Sequence, residues 1–319
     1  MLLEVLESGF MTTVQDVSGR RGYAAQGVPR SGAMDWFALT AANYLAGNDW
    51  NATGLECFAS GPILQTNANG VVAAAGRGFE LWVDDDHFPL WTAVRVKSGQ
   101  RIQLLALPDA GWGYLAFSGG VDVPLVMGSC ATCLRAGFGG FEGRPLRSGD
   151  VLKVGGGNES TRIWPGIKRS LPAIVMPNYG DAVVVQVIPG PQVERFEPDG
   201  WAIFLASEYT LSSLSDRMGY RLEGVPISTT HSADVLSEGT LPGAIQVPGD
   251  GKPVVLMADS QTTGGYAKIA AVITADQPLL AQCLPGRGRV RFRETTVTAA
   301  QERYRRMLRQ LQQALIARA

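Results

Sequence analysis

The chain has 319 residues, of which 45% are hydrophobic and 18% are charged, and its formal net charge is −1. This balance excludes an intrinsically disordered chain. It also lacks the basic excess that nucleic-acid-binding proteins usually carry, so no nucleic-acid partner is expected. The length predicts about two domains. The 39 glycines and 18 prolines predict many turns between short elements, and therefore a mainly β fold.

Short apolar or alternating runs of strand length follow one another along most of the chain. Gly, Pro, Asn or Asp separates most of them, which is typical of a β-sandwich or β-barrel and not of strands alternating with long helices. The predicted strands are 2–6, 12–15, 70–75, 79–83, 93–96, 101–105, 114–118, 151–154, 183–188, 243–247, 254–257, 266–273 and 289–292.

Four helices interrupt these strands. Ser31 is predicted to cap a helix over 34–45, a short helix is predicted over 198–206, and Asp276 is predicted to cap a helix over 278–283. The tail, 299–319, places apolar residues at i, i+3, i+4 and i+7, which predicts an amphipathic C-terminal helix. Because its arginines lie mostly off the apolar stripe, packing on its own domain or on a partner is favoured over binding to a membrane or to RNA.

The order of residues suggests two related halves. Residues 155–177 contain a glycine run and two prolines and are the best candidate linker. Similar residues follow Gly113-Tyr114 and Gly265-Tyr266 in the same order but at different spacings, so duplication stays an open alternative. The predicted domains are an N-terminal half, 1–160, a C-terminal half, 178–298, and the helix at 299–319.

Several features bear on the cellular compartment. Glu4 and Glu7 interrupt the apolar start, unlike a signal peptide, and no run of about 18 apolar residues predicts a membrane span. The four cysteines are irregularly spaced. Cys130 and Cys133 form a C-x-x-C sequence, which is either a redox or zinc pair or, as we favour, a pair of ordinary thiols. These observations predict a cytoplasmic protein.

The sequence lacks the motifs that would place a cofactor on it. It has no P-loop, no correctly spaced dinucleotide fingerprint, no H-E-x-x-H zinc motif and no Met-Lys-Met biotin-attachment sequence. Neither a metal nor a covalent biotin is therefore expected on this chain. Of the two histidines, His87 is interpreted as part of a solvated turn, and His231 is a possible binding residue.

A first candidate site lies near the predicted start of the first helix. Arg20, Arg30 and Ser31 could bind a carboxylate there, because cations and free helix N–H groups both attract an anion. The alternative is a capped helix with surface arginines.

A second candidate site combines two polar segments, 212–220 and 259–266. Asp216 and Arg217 belong to the first and form either part of a site or a structural pair. The second follows a buried strand, and its glycines favour close approach of the backbone to a ligand, against the alternative of a structural bulge. The expected substrate-binding residues here are Arg217, Gln261, Thr262, Thr263, Gly264 and Tyr266, and the expected catalytic residues are Asp216, Asp259 and Lys268.

Motifs distributed over nearly the whole chain resemble one known family. They include TTVQD at 12–16, SGAMD at 31–35, GGVDVP at 119–124, SDRMGYRL at 215–222, SEG at 237–239, IQVP at 245–248 and QTTGGY at 261–266. The chain resembles the second component of allophanate-hydrolase-like and biotin-dependent-carboxyltransferase-like proteins, a family that includes the C subunit of 5-oxoprolinase and the Kip antagonist. The resemblance implies tandem cyclophilin-like β-barrels and a B-subunit-like partner, also cyclophilin-like. It does not identify catalytic residues.

Three functions are compatible with this resemblance. The first is the C subunit of an ATP-dependent 5-oxoprolinase, an amide (lactam) hydrolase that would be inactive without its A-subunit-like and B-subunit-like partners. ATP would then be a co-substrate of the assembly, and the polar loops would hold the activated lactam while Asp216 or Asp259 acts as a base toward water. The second is a carboxyltransferase module that acts on urea or an amide with a separate biotin enzyme. The third is a non-catalytic regulator that binds a B-subunit-like protein.

Overall fold

The computed structural model describes residues 1–155, 168–230 and 232–316. They form 21 β-strands and four α-helices, which confirms the mainly β prediction. They divide into two compact units: unit 1 is Met1–Arg20, Ser31–Met176 and Arg309–Ala319, and unit 2 is Arg21–Arg30 and Pro177–Leu308. His231 and residues 156–167 of the predicted linker lie outside the described residues.

Unit 1 contains two six-stranded sheets. Their strands are β1 (Leu2–Glu7), β2 (Thr13–Gln15), β3 (Gly54–Phe58), β4 (Ile63–Thr66), β5 (Gly70–Gly76), β6 (Phe79–Val83), β7 (Asp86–Pro89), β8 (Thr92–Val96), β9 (Arg101–Ala106), β10 (Trp112–Phe117), β11 (Val151–Lys153) and β12 (Lys168–Ser170). The first sheet has the order β11-β1-β4-β9-β6-β7 and the second has the order β12-β8-β5-β10-β3-β2.

The two sheets of unit 1 share one hydrophobic core. Leu3 and Leu64 of the first sheet belong to the same buried cluster as Val72 and Leu115 of the second. Helix α1 (Trp36–Leu45) packs against β5 and β10 of the second sheet. Strand β10 is buried along its whole length, which explains why its sequence is apolar without alternation.

The start of α1 differs from the prediction. Asp35 is the N-cap residue, and its side chain accepts a hydrogen bond from the Ala38 N–H at 2.9 Å. Ser31 lies four residues earlier, with a left-handed φ of 55° and a buried side chain. The predicted cap at Ser31 is therefore wrong, because the chain turns there before it reaches the helix.

Unit 2 is built around a closed seven-stranded barrel with the order β13-β20-β17-β18-β15-β14-β21. A separate two-stranded ribbon pairs β16 with β19. The strands are β13 (Ala182–Pro189), β14 (Glu208–Leu211), β15 (Gly219–Glu223), β16 (Asp234–Gly239), β17 (Ala244–Gln246), β18 (Val254–Leu256), β19 (Thr263–Tyr266), β20 (Lys268–Val272) and β21 (Arg289–Glu294). Strand β13 pairs antiparallel with β20 and parallel with β21, which closes the barrel.

Three further helices follow α1 along the chain: α2 (Gly200–Ala206), α3 (Gln277–Ala281) and α4 (Val297–Ile316). The predicted C-terminal helix is confirmed, and it begins at Val297, two residues earlier than expected. Within unit 2, Tyr304 and Met307 of α4 pack against Ile273. None of the helices in the described residues combines the length and the apolar character needed to span a membrane.

Asp276 does not cap α3 as predicted. It stands at the N-cap position, but its side chain makes no capping hydrogen bond. Instead, Asp276 Oδ2 accepts from the Gln186 N–H at 2.8 Å, and Oδ1 lies 2.6 Å from Arg303 Nη2 of α4. The carboxylate therefore connects the barrel to α4.

The four cysteines, all of them described, are free thiols. Cys57, Cys133 and Cys283 are buried, whereas Cys130 is half-buried. The interpretation of Cys130 and Cys133 as ordinary thiols stays a prediction.

Candidate functional site

The candidate site lies in unit 2, where two pairs of strands bring polar residues together. The ribbon places Glu238 of β16 opposite Gly264 of β19. In the barrel, Gln246 of β17 is opposite Lys268 of β20. Since residue 267 joins β19 directly to β20, these pairs form one cluster. We call Gln192, Glu238, Gln246, Gln261 and Lys268 the polar cluster.

Lys268 is held by a carboxylate that sequence reasoning missed. Its Nζ donates to Glu238 Oε1 at 2.5 Å, although the Lys268 side chain is only 8% exposed. Gln192 Nε2 donates to the same oxygen at 2.5 Å, and Gln192 Oε1 accepts from the Lys268 N–H at 3.0 Å. The hydrogen bond from Lys268 lowers the pKa of Glu238 below its ordinary value. The Lys268 side chain is therefore fixed in position by Glu238, and its backbone by Gln192.

Gln246 supplies a hydrogen-bond donor that is not used within the described residues. Its side chain is buried, and its Oε1 accepts from Gln261 Nε2 at 3.3 Å. Its Nε2 is buried and has no hydrogen-bond partner among the described residues. An unpaired buried donor is costly, so such a group often indicates a ligand or water that completes the site.

Gly264 lies close to this donor. A Cβ at Gly264 would stand 2.4 Å from Gln246 Nε2, so a side chain there would displace the amide. The neighbouring segment is fixed by the Thr240 hydroxyl, which donates to the Gln261 carbonyl at 2.5 Å. The close approach of backbone predicted for this glycine is thus made to a protein side chain.

The predicted loop at 261–266 is partly a strand. Thr263, Gly264 and Tyr266 belong to β19, and Thr262 accepts from the Thr240 N–H at 3.0 Å through its carbonyl. The prediction of a loop here is therefore wrong. Thr263 and Tyr266 are exposed, and Tyr266 is opposite Asp234 in the ribbon.

Arg217 and Asp259 form a buried, bidentate ion pair. The two distances are 2.7 Å from Arg217 Nε to Asp259 Oδ2 and 3.0 Å from Nη2 to Oδ1. The Asp259 N–H also donates to the Arg217 carbonyl at 2.8 Å. This pair joins the 215–220 segment to the start of the 259–266 segment. These are the two segments that the second candidate site combines.

The two carboxylates predicted as bases are both engaged. Both oxygens of Asp259 are bound by Arg217. Asp216 is exposed, and its Oδ1 accepts from the N–H groups of Met218 at 2.8 Å and Gly219 at 3.2 Å. These contacts give each residue a structural task, and a role as general base for either one stays a prediction.

The three residues of the first candidate site have different surroundings. Arg20 is buried in unit 1, where it donates to the Ala131 carbonyl and lies 4.6 Å from the centre of the Phe138 ring. Ser31 is also buried in unit 1, and its Oγ has no hydrogen-bond partner among the described residues. Arg30 is half-buried and belongs to unit 2. Since Ser31 does not cap the helix, the proposed anion site loses its helix N-terminus.

Sequence reasoning missed Gln192, Glu238 and Gln246. Glu238 and Gln246 lie in two of the motifs that carry the family resemblance, at 237–239 and 245–248. These motifs were a usable signal.

Unit 2 also contains a cavity of about 420 Å³, and none of the predicted site residues lines it.

Comparisons with known proteins agree with the motifs. The model of the family described as "Carboxyltransferase domain, subdomain A and B" matches residues 26–294. The C subunit of the 5-oxoprolinase of Escherichia coli (strain K12) is 42% identical over 283 residues, which cover 88% of this chain and 87% of the relative. The corresponding C subunit of Haemophilus influenzae is 36% identical over 281 residues, with the same coverages of 88% and 87%.

The fold is also found in a larger enzyme. The crystal structure of the K. lactis urea amidolyase superimposes with a TM-score of 0.90 at 26% identity over 98% of this chain. This chain spans only 20% of that protein. The resemblance predicted from the motifs is confirmed, and the chain belongs to the carboxyltransferase-domain family with subdomains A and B.

Proposed function

We propose that this chain is the C subunit of an ATP-dependent 5-oxoprolinase complex that hydrolyses 5-oxoproline to glutamate. The observation that carries the proposal is the 42% identity to a protein of that name over nearly the full length of both chains. The hydrogen-bond donors of the polar cluster also support the proposal, because the reaction requires such donors. A lactam is stabilised by resonance, so its hydrolysis requires charge to be drawn onto the carbonyl oxygen.

The donors of the polar cluster suit that task. Transfer of the γ-phosphoryl group of ATP to the lactam oxygen would release ADP and make carbon 5 electrophilic. A water would add to carbon 5, the bond from carbon 5 to nitrogen would break as the nitrogen takes a proton, and a second water would release phosphate. Gln246 Nε2 and Lys268 Nζ would bind the oxygens that become negative along this path.

Neighbouring residues would position these donors. Glu238 and Gln192 fix Lys268, and Gln261 fixes the amide of Gln246. The Arg217–Asp259 pair fixes the segment that leads to Gln261. We further propose that the chain acts with a B-subunit-like and an A-subunit-like partner, is inactive alone, and binds neither a metal nor a covalent biotin.

Reconstitution of the three proteins tests the proposal. We expect glutamate release from 5-oxoproline that requires ATP and all three chains. Glutamate release that continues at the same rate when this chain is omitted would contradict the proposal. A folded variant such as Lys268→Met separates a role in chemistry from a role in assembly, because co-purification with the partners and turnover are measured on the same sample.

A second candidate function is a carboxyltransferase module in a biotin-dependent urea or amide carboxylase system. The TM-score of 0.90 to the K. lactis urea amidolyase favours this candidate. Its test is turnover that depends on a carboxylated biotin protein. Activity with ATP in a mixture free of biotin protein would exclude it.

A further inference from the structure

Unit 2 contains an open cavity apart from the polar cluster. Its volume is about 420 Å³, which lies within the range of roughly 300–1,000 Å³ typical of small-molecule sites. The lining residues are Pro189, Val193, Glu194, Phe196, Glu197, Pro198, Trp201 and Thr230.

Hydrogen bonds and a ring contact fix the residues of the cavity wall. The Trp201 Nε1–H donates to Glu294 Oε2 at 3.1 Å, and the Trp201 ring lies 5.6 Å from that of Phe204. The Thr230 N–H and hydroxyl both donate to the Arg195 carbonyl, at 2.9 and 3.0 Å. A ligand would therefore meet a preformed surface, which lowers the entropic cost of binding.

The charge of the wall favours a cation. Glu194 and Glu197 are exposed acids, and none of the eight described lining residues is basic. Trp201 also lines the cavity, and an indole ring is the best aromatic partner for a cation. The proline, valine and phenylalanine surfaces between these groups suit an apolar stem.

The same charge separates this cavity from the lactam chemistry. 5-Oxoproline and glutamate carry carboxylates, which two nearby glutamates would repel. Gln192, which lies between Pro189 and Val193 in the chain, bonds to Glu238 and Lys268 of the polar cluster and does not line the cavity. The cavity and the polar cluster are therefore lined by different residues.

We propose that this cavity binds an organic cation, an ammonium or guanidinium group on an apolar stem of about the size of an arginine side chain. Such a group could come from a free amine or from a basic side chain of another protein. The proposal does not depend on the 5-oxoprolinase activity. Its central elements are Trp201, Glu194 and Glu197.

Equilibrium titration of the full-length chain, followed by ligand-observed NMR, tests the proposal. The probes are agmatine for a free cation, N-acetyl-arginine methylamide for a peptide side chain, and N-acetyl-norleucine methylamide as the neutral comparator. We expect at least one cation to bind about tenfold more tightly than the neutral comparator and to bind more weakly as salt rises. Tighter binding of agmatine would indicate a free amine as the natural ligand, and tighter binding of the arginine derivative would indicate a protein side chain.

Matched variants locate the site. Glu194→Gln combined with Glu197→Gln should weaken binding of the cation about fivefold or more. Asp199→Asn removes an exposed charge from the same segment without touching the cavity, and should change binding less than about twofold. Trp201→Leu should abolish the preference for the cation. No saturable binding of either cation, equal binding of the neutral comparator, or equal effects of the control and double variants would overturn the proposal.

Discussion

Lys268 and Glu238 are 30 residues apart in the chain and form an ion pair in which Nζ lies 2.5 Å from Oε1. The lysine is nearly buried, with 8% of its side chain exposed, whereas 42% of the glutamate is exposed. The pair therefore orients a positive charge from the protein interior toward an accessible carboxylate. This arrangement is the core of the proposed site.

The first prediction concerns that charge. Lys268→Met should lower the turnover of the reconstituted complex about 100-fold or more, as removal of one oxyanion donor does in other enzymes. Lys252→Met is the matched control, because Lys252 also forms an ion pair, with Glu223 at 2.5 Å, but is 47% exposed. Turnover should stay within about twofold in the control. Equal losses in the two variants would show that Lys268 has no special part in turnover.

The second prediction concerns Gly264, which lies close to the Gln246 amide. Gly264→Ala should displace the Gln246 amide and reduce turnover about tenfold or more. Gly239→Ala is the control from the same ribbon, since a Cβ there meets nothing within 4 Å. Steady-state kinetics of the complex measures both. If Gly239→Ala reduces turnover as strongly, the ribbon as a whole matters and not its approach to Gln246.

The third prediction concerns the buried pair of Arg217 and Asp259. Asp259→Asn should lower the free energy of unfolding by about 3–5 kcal/mol, because it removes the carboxylate that forms a bidentate ion pair with a buried guanidinium. Asp216→Asn should cost less than about 0.5 kcal/mol, since Asp216 is exposed and asparagine can still accept the turn hydrogen bonds. Denaturant unfolding measures both values. A loss below about 1 kcal/mol in Asp259→Asn would contradict a stabilising role for the pair.

The fourth prediction concerns pH and unit 1. Hydrogen bonds from Arg144 lower the pKa of Asp150, with Nη1 2.8 Å from Oδ2 and Nη2 2.9 Å from Oδ1. Because the folded pKa is depressed, this stabilisation is present above the ordinary pKa of about 4 and is lost as the pH falls through the lowered value.

Asp150→Asn should therefore reduce the free energy of unfolding at neutral pH by about 1–3 kcal/mol. As the pH decreases below about 4, the free energy of unfolding should also fall less steeply in the variant than in the wild type. Unfolding curves of the two proteins across this range provide the measurement. Parallel pH profiles for wild type and variant would show that Asp150 does not couple folding to protons.

Local patterns in the sequence were enough to predict part of the fold. The apolar stripe through Tyr304, Met307 and Leu311 predicts α4, because helical periodicity depends only on neighbours within the chain. The cap at Ser31 could not be predicted correctly, because a left-handed turn at that residue moves the helix start to Asp35. The ribbon strands β16 and β19 were missed because they are largely exposed and so lack a clear apolar pattern.

The candidate site was predicted in outline but not in its contacts. Gln261, Gly264 and Lys268 were chosen from residue type and position, and they do lie around one cluster. The partner of Lys268 was missed because Glu238 reaches it only through the pairing of β16 with β19. The partner of Arg217, likewise, is 42 residues away and not the adjacent Asp216 that the sequence suggested. Such pairs depend on strand register, which single-sequence patterns do not fix.

The most direct test of the central claim is the structure of the assembled complex with 5-oxoproline bound. We predict that an oxygen of the ligand lies about 3 Å from Gln246 Nε2 or from Lys268 Nζ. A ligand bound with all its oxygens away from both donors, in a complex that still turns over, would contradict the role proposed for the polar cluster.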